Sequence, residues 1–193
     1  MAVMVALSIV TILSVATPAF AGPPKVEISL VVWGGTGCSY SDSSAALPPP
    51  YDVLTVLFGN MIATTDKGLP DTRKFCQFSF SLTYPKGWSF TLGTVTGRGF
   101  RDVAAGSTGF YETQFYFSGQ QGTPTITRTL PGPQKGNFEF TDVFFTEVYS
   151  KCNDVPNLNI KHVVRVEGAK ALVGLDSSDS KFELLFAFKW KKC

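Results

Sequence analysis

Residues 74–84 alternate between apolar and polar side chains, and that alternation constrains the fold of this chain more than any other feature. Cys76, Phe78, Phe80, Leu82 and Tyr84 fall in one register, and Gln77, Ser79, Ser81 and Thr83 in the other. Successive side chains on a strand point to opposite faces, so a period of two describes a strand with one face buried and one wet. No window long enough for a helix carries the i, i+3, i+4, i+7 apolar spacing that an amphipathic helix needs.

The same period returns along the chain. Val26, Ile28, Leu30 and Val32 share a face in 25–33, while 51–58 is apolar on both faces and suits a central strand. Trp88, Phe90 and Leu92 continue it in 88–96, and Tyr111, Phe115 and Phe117 in 110–117. Segments 123–130, 137–148, 158–167 and 181–190 complete the set, the last presenting Phe182, Leu184, Phe186, Phe188 and Trp190 together. Seventeen Phe, 18 Gly and 12 Pro favour strands joined by tight turns. The expected fold is all-β, an antiparallel β-sandwich of about 9–10 strands. Two stretches interrupt the rhythm. Residues 39–50 read as an exposed loop with polyproline character. Residues 97–109, with four glycines around Arg98, Arg101 and Asp102, read as a long loop of the kind that carries binding residues.

Residues 1–21 form an uncharged apolar run ending Ala19-Phe20-Ala21, and Cys38, Cys76, Cys152 and Cys193 follow it. The run is too short and too polar for a transmembrane helix, and its small-x-small ending predicts a secretory signal peptide removed before Gly22. Residues 22–193 are then a single β-sandwich domain, secreted and extracellular, with no membrane span and expected to be monomeric. An even cysteine count in an oxidising compartment predicts a disulfide-stapled framework. Of the three pairings that four cysteines allow, Cys38–Cys76 and Cys152–Cys193 join neighbours in order and tie loop to strand. Each would close a loop of about 40 residues, worth roughly 4 kcal/mol.

Read around its cysteines, the chain resembles the domain of unknown function 4360 family of small secreted proteins. The resemblance rests on Gly34-Gly35-Thr36-Gly37-Cys38, Arg73-Lys74-Phe75-Cys76, Tyr84-Pro85-Lys86-Gly87 and Arg98-Gly99. Phe115-Tyr116-Phe117-Ser118-Gly119, Gly132-Pro133 and the closing Trp190-Lys191-Lys192-Cys193 extend it across nearly the whole mature chain. The family has no assigned activity, so the resemblance implies fold and location and carries no catalytic residues with it.

The residues themselves assemble no reaction centre. No Cys-x-x-Cys exists to mark a zinc ribbon or a redox pair. His162 is the single histidine, which rules out a three-histidine metal site. It shares its register with Leu158, Ile160, Val164 and Val166, which reads as a core position rather than a catalytic base. Asp102, Glu112, Asp142 and Glu147 are candidate carboxylates, but no spacing singles out a pair. Asp176-Ser177-Ser178-Asp179 reads as a hairpin turn rather than a calcium loop, and Gly34–Gly37 as a turn that lacks the Lys-Ser/Thr ending of a phosphate loop. A net charge of +2 with scattered basic residues gives no nucleic-acid footprint, and nothing calls for a cofactor or a metal. No Asn-x-Ser/Thr sequon is present.

Trp33, Trp88 and Trp190 lie at strand ends, where rings either cap the core or stack on sugar faces. Trp33 and Trp88, with Arg98 and Arg101 on the expected loop, are therefore the candidate ligand-binding residues. The sequence favours a non-catalytic binding or effector-like module directed at cell-wall polysaccharide or a host surface protein. An extracellular hydrolase, carbohydrate- or ester-directed and working through loop carboxylates or His162, is the alternative.

Overall fold

Twelve strands and one 3-10 turn account for the regular structure of the computed structural model, which describes residues 22–39, 41–175 and 183–193. The leader at 1–21 and the turn at 176–179 lie outside the described residues. The strands are β1 (Glu27–Gly34), β2 (Ser44–Ala46), β3 (Val53–Leu57), β4 (Ile62–Thr64), β5 (Arg73–Thr83) and β6 (Trp88–Val103). They continue with β7 (Thr108–Phe117), β8 (Thr125–Pro131), β9 (Gln134–Val143), β10 (Leu158–Glu167), β11 (Ala171–Gly174) and β12 (Glu183–Lys192). The strands beyond the expected count are short: β2, β4 and β11 have three or four residues each, too few for a period to declare itself.

All pairings are antiparallel and form two sheets. The first has five strands in the order β1-β5-β10-β7-β8. In the second, β12 lies between β3 and β6, and β2 flanks β3. β6 is long enough to take two partners in line on one edge. Trp88–Gly97 pairs with β12 and Phe100–Val103 with β11, whose far side holds β4, while β9 runs along the opposite edge over Thr94–Val103.

The alternating apolar registers meet between the sheets. Phe78, Phe80, Phe115 and Phe117 face inward from the first, and Leu54, Val56, Phe90, Leu92, Val95, Leu184 and Phe186 from the second, all buried. Phe90 and Phe117 meet edge to face at 5.2 Å, which locks one sheet to the other. Burying each such ring contributes about 1.5–3 kcal/mol.

The stretch expected as a loop at 97–109 is mostly strand: β6 runs unbroken to Val103, and only residues 104–107 turn the chain. Its glycines serve packing. Phe140 of β9 lies opposite Gly97 and Phe138 opposite Gly99, and the two rings stack on each other at 5.4 Å. A Cβ at Gly99 would stand 2.4 Å from the Gly174 carbonyl oxygen and 2.6 Å from the Phe138 ring. A missing side chain on one strand is filled here by an aromatic from the next. The 39–50 stretch is likewise not all loop, since it contains β2.

Cys38 is bonded to Cys76 and Cys152 to Cys193, with Cα separations of 5.6 and 5.8 Å. The first bond ties the turn after β1 to β5, and the second ties the segment before β10 to the end of β12. Between the sheets on the β8–β9 side, Arg128 donates from Nε and Nη2 to the two carboxylate oxygens of Asp142, both at 2.7 Å, with its guanidinium 4.5 Å over Phe140.

Candidate functional site

The four residues expected to bind ligand do not converge. Trp88 is only 7% exposed, and the Lys192 ammonium covers its ring at 3.8 Å. Trp33 is half-buried on β1, its indole N–H donating to the Ser39 carbonyl at 2.9 Å and its ring 5.7 Å from Phe78. Arg98 is held between strands by Glu139 at 2.9 Å and by Glu183. Its guanidinium is raised above its ordinary value by those carboxylates. Arg101 stands in the same register as Val103 and has no ion pair among the described residues. Ten residues separate Trp88 from Arg98 on one strand, about 33 Å at the usual rise, and Trp33 belongs to the other sheet. Trp190 is also buried, with its N–H on the Tyr51 carbonyl.

His162 is completely buried. Its Nδ1 is 2.5 Å from the Thr113 hydroxyl, its ring meets Tyr111 at 4.4 Å and Phe58 at 5.8 Å, and its Nε2 has no hydrogen-bond partner among the described residues. Burial pushes its pKa down to about 3, so the ring stays neutral in the fold. Burial likewise raises the pKa of the Tyr111 hydroxyl. Three of the candidate carboxylates are in ion pairs: Asp102 with Lys135, Asp142 with Arg128 and Glu147 with Lys189. Glu112 is the exception.

Glu112 lies on the outer face of the five-stranded sheet, whose register can be read row by row. Arg73, Arg165, Phe110 and Thr129 form one row across β5, β10, β7 and β8. Phe75, Val163, Glu112 and Thr127 form the next, then Gln77, Lys161, Gln114 and Thr125, then Ser79, Asn159 and Tyr116. The first two rows enclose a groove of about 110 Å³ lined by Arg73, Phe110, Glu112, Thr127, Val163 and Arg165. The Arg165 guanidinium lies 4.1 Å over the Phe110 ring, and that of Arg73 lies 5.4 Å over Phe75.

Hydrogen bonds fix the lower rows. Gln77 donates to the Tyr116 hydroxyl at 3.1 Å, Ser79 donates to the Asn159 carbonyl oxygen at 2.6 Å, and the Asn159 amide donates to Ser118 at 3.0 Å. Side chains held in this way present amides, hydroxyls and ring edges from rigid strands, which is the equipment for hydrogen-bonding a polyhydroxylated ligand. Sequence reasoning missed this face because it treated the polar register of each strand as simply wet. A signal was nonetheless present. Phe75, Phe110, Tyr116 and Val163 stand beside inward residues, in the register that the period assigns to solvent.

Comparison with known proteins finds a secreted relative. It is 30% identical over 179 residues to an uncharacterized secreted protein of Arthroderma benhamiae, covering 89% of this chain and 73% of that one. With that relative and four oxidised cysteines, the protein is a secreted, extracellular one. Among solved structures, TmCBM61 in complex with β-1,4-galactotriose is similar at 10% identity and a TM-score of 0.29, over 86% of this chain and 91% of that one. The family 11 carbohydrate-binding module from Clostridium thermocellum, in complex with a β-1,3-1,4-mixed-linked tetrasaccharide, is similar at 11% identity and a TM-score of 0.25, over 90% and 92%. Overlaps that weak transfer neither site nor ligand. Residues 24–193 match the family described as "Domain of unknown function (DUF4360)", and the chain belongs to it.

Proposed function

We propose that this domain is a non-catalytic extracellular binding module that lays the outer face of its five-stranded sheet against a polysaccharide. The observation that carries the reading is the composition of that face: ring, amide, hydroxyl and acid side chains in successive rows, braced by hydrogen bonds between strands. His162, one of the two kinds of group a hydrolytic reading would use, is sealed between the sheets and out of a substrate's reach. Of the candidate carboxylates, Asp102, Asp142 and Glu147 are paired with Lys135, Arg128 and Lys189.

Retention of the purified protein on insoluble chitin, β-glucan and cellulose and on immobilised acidic polysaccharides tests the proposal. Binding to at least one polymer is expected. Gln114→Ala and Tyr116→Ala should weaken it by about tenfold each, in keeping with the few residues that dominate most interfaces. Thr96→Ala, on the opposite sheet, should bind as the unaltered protein does. Failure to bind any polysaccharide refutes the reading.

A further inference from the structure

We infer that the groove between Arg73 and Arg165 receives a carboxylate, so that the polysaccharide selected by this face carries uronic acid residues. The inference rests on the binding role proposed above and names its ligand class.

Arg73 and Arg165 are direct cross-strand partners. Like charges in that arrangement repel, and an anion between them removes the repulsion. The guanidinium of Arg73 lies over Phe75 and that of Arg165 over Phe110, and Nη1 of Arg165 also donates to Glu167. A guanidinium edge matches a carboxylate in two parallel hydrogen bonds. Arg73 has no carboxylate partner among the described residues. Arg165 has Glu167, but both side chains are about half exposed, at 43% and 55%, so a ligand can displace that contact at little cost.

The groove's size fits a substituent rather than a whole sugar. Sites that engulf a small molecule run to about 300–1,000 Å³, and this one holds about 110 Å³. Glu112, one row along and without an ion pair among the described residues, sets the ligand's polarity. It accepts hydrogen bonds from sugar hydroxyls beside the carboxylate and repels a second anion, which disfavours densely sulfated chains.

Affinity gel electrophoresis tests this with glucuronoxylan and polygalacturonate, the same polymers after chemical reduction of their carboxyl groups, and dextran sulfate. The expected result is retardation by at least one uronate polymer, at least tenfold weaker after its reduction. Arg73→Gln and Arg165→Gln should each cost tenfold or more, and Arg73→Lys, which keeps the charge but loses the fork, most of that. Lys135→Gln, on the other sheet, should bind like the unaltered protein. Equal binding to a polymer and its reduced form, unchanged binding by both Arg73 variants, or a preference for dextran sulfate would overturn the carboxylate receptor and leave the glycan-binding face standing. No retardation by any acidic or neutral polymer overturns both.

Discussion

The buried His162 makes stability depend on pH in a range where few other groups titrate. In the unfolded chain its imidazole has an ordinary pKa of about 6.5, whereas in the fold burial holds it near 3. Between those values the unfolded state binds a proton that the folded state refuses, so stability is intact above the unfolded pKa and is lost as pH falls toward the folded one. The loss approaches about 1.4 kcal/mol per pH unit, or roughly 2 kcal/mol by about pH 5. That is a large share of the 5–15 kcal/mol that typically separates folded from unfolded chains. The carboxylates of Asp71 and Asp102 are held below their ordinary value by hydrogen bonds to Lys74 and Lys135, so their contributions fade only in more acid solution. Urea melts followed by tryptophan fluorescence, from about pH 7.5 down to about pH 5, should show this decline in the unaltered protein and a nearly flat profile in His162→Asn. The same decline in the variant, or less than about 0.5 kcal/mol of change in the unaltered protein, would refute the assignment to His162.

Three further outcomes follow from packing and cross-links. Replacing Cys38 and Cys76 together, or Cys152 and Cys193 together, should cost about 4 kcal/mol each, measured by denaturant midpoint; loops of 38 and 41 residues give nearly the same loop entropy. Gly99→Ala should destabilise by about 1–3 kcal/mol, since its new methyl meets a carbonyl oxygen and a ring. Gly97→Ala, whose methyl meets only the Phe140 and Tyr111 rings at 3.1–3.2 Å, should cost less, and thermal melts of the two variants would reverse that order if the packing account were wrong. Asp142→Asn should lower stability by about 1 kcal/mol in low salt and by less in high salt, because Arg128 is 40% exposed and the pair is partly screened.

The core could be read from the sequence because one register of each long strand is almost wholly apolar. Phe78, Phe80, Leu82, Phe186 and Phe188 are buried where a period of two puts them. The reading failed at 97–103 because glycine supplies no side chain to show a period, and its role there depends on Phe138 and Phe140, some 40 residues away in sequence. Trp88 and Arg98 drew attention as chemically conspicuous residues, yet the first is covered by Lys192 and the second spent on Glu139 and Glu183. Neither partnership is local, so no spacing could reveal it. The outer-face rows are also non-local. They exist only once β10 brings Val163 and Arg165 between Phe75 on one side and Phe110 and Glu112 on the other.

The placement of β10 and β12 bears on how the chain acquires its shape during synthesis. Each occupies the middle of a sheet, between strands translated well before it: β5 and β7 wait for β10, and β3 and β6 wait for β12. Until those late segments emerge, the nascent polypeptide carries four strands, three of them long, with unsatisfied backbone on their flanks, a state prone to association with its neighbours. Closing two distant gaps also makes such a topology slow to complete. A molecule assembled in this order gains from being held apart from its neighbours until its last strand has been made.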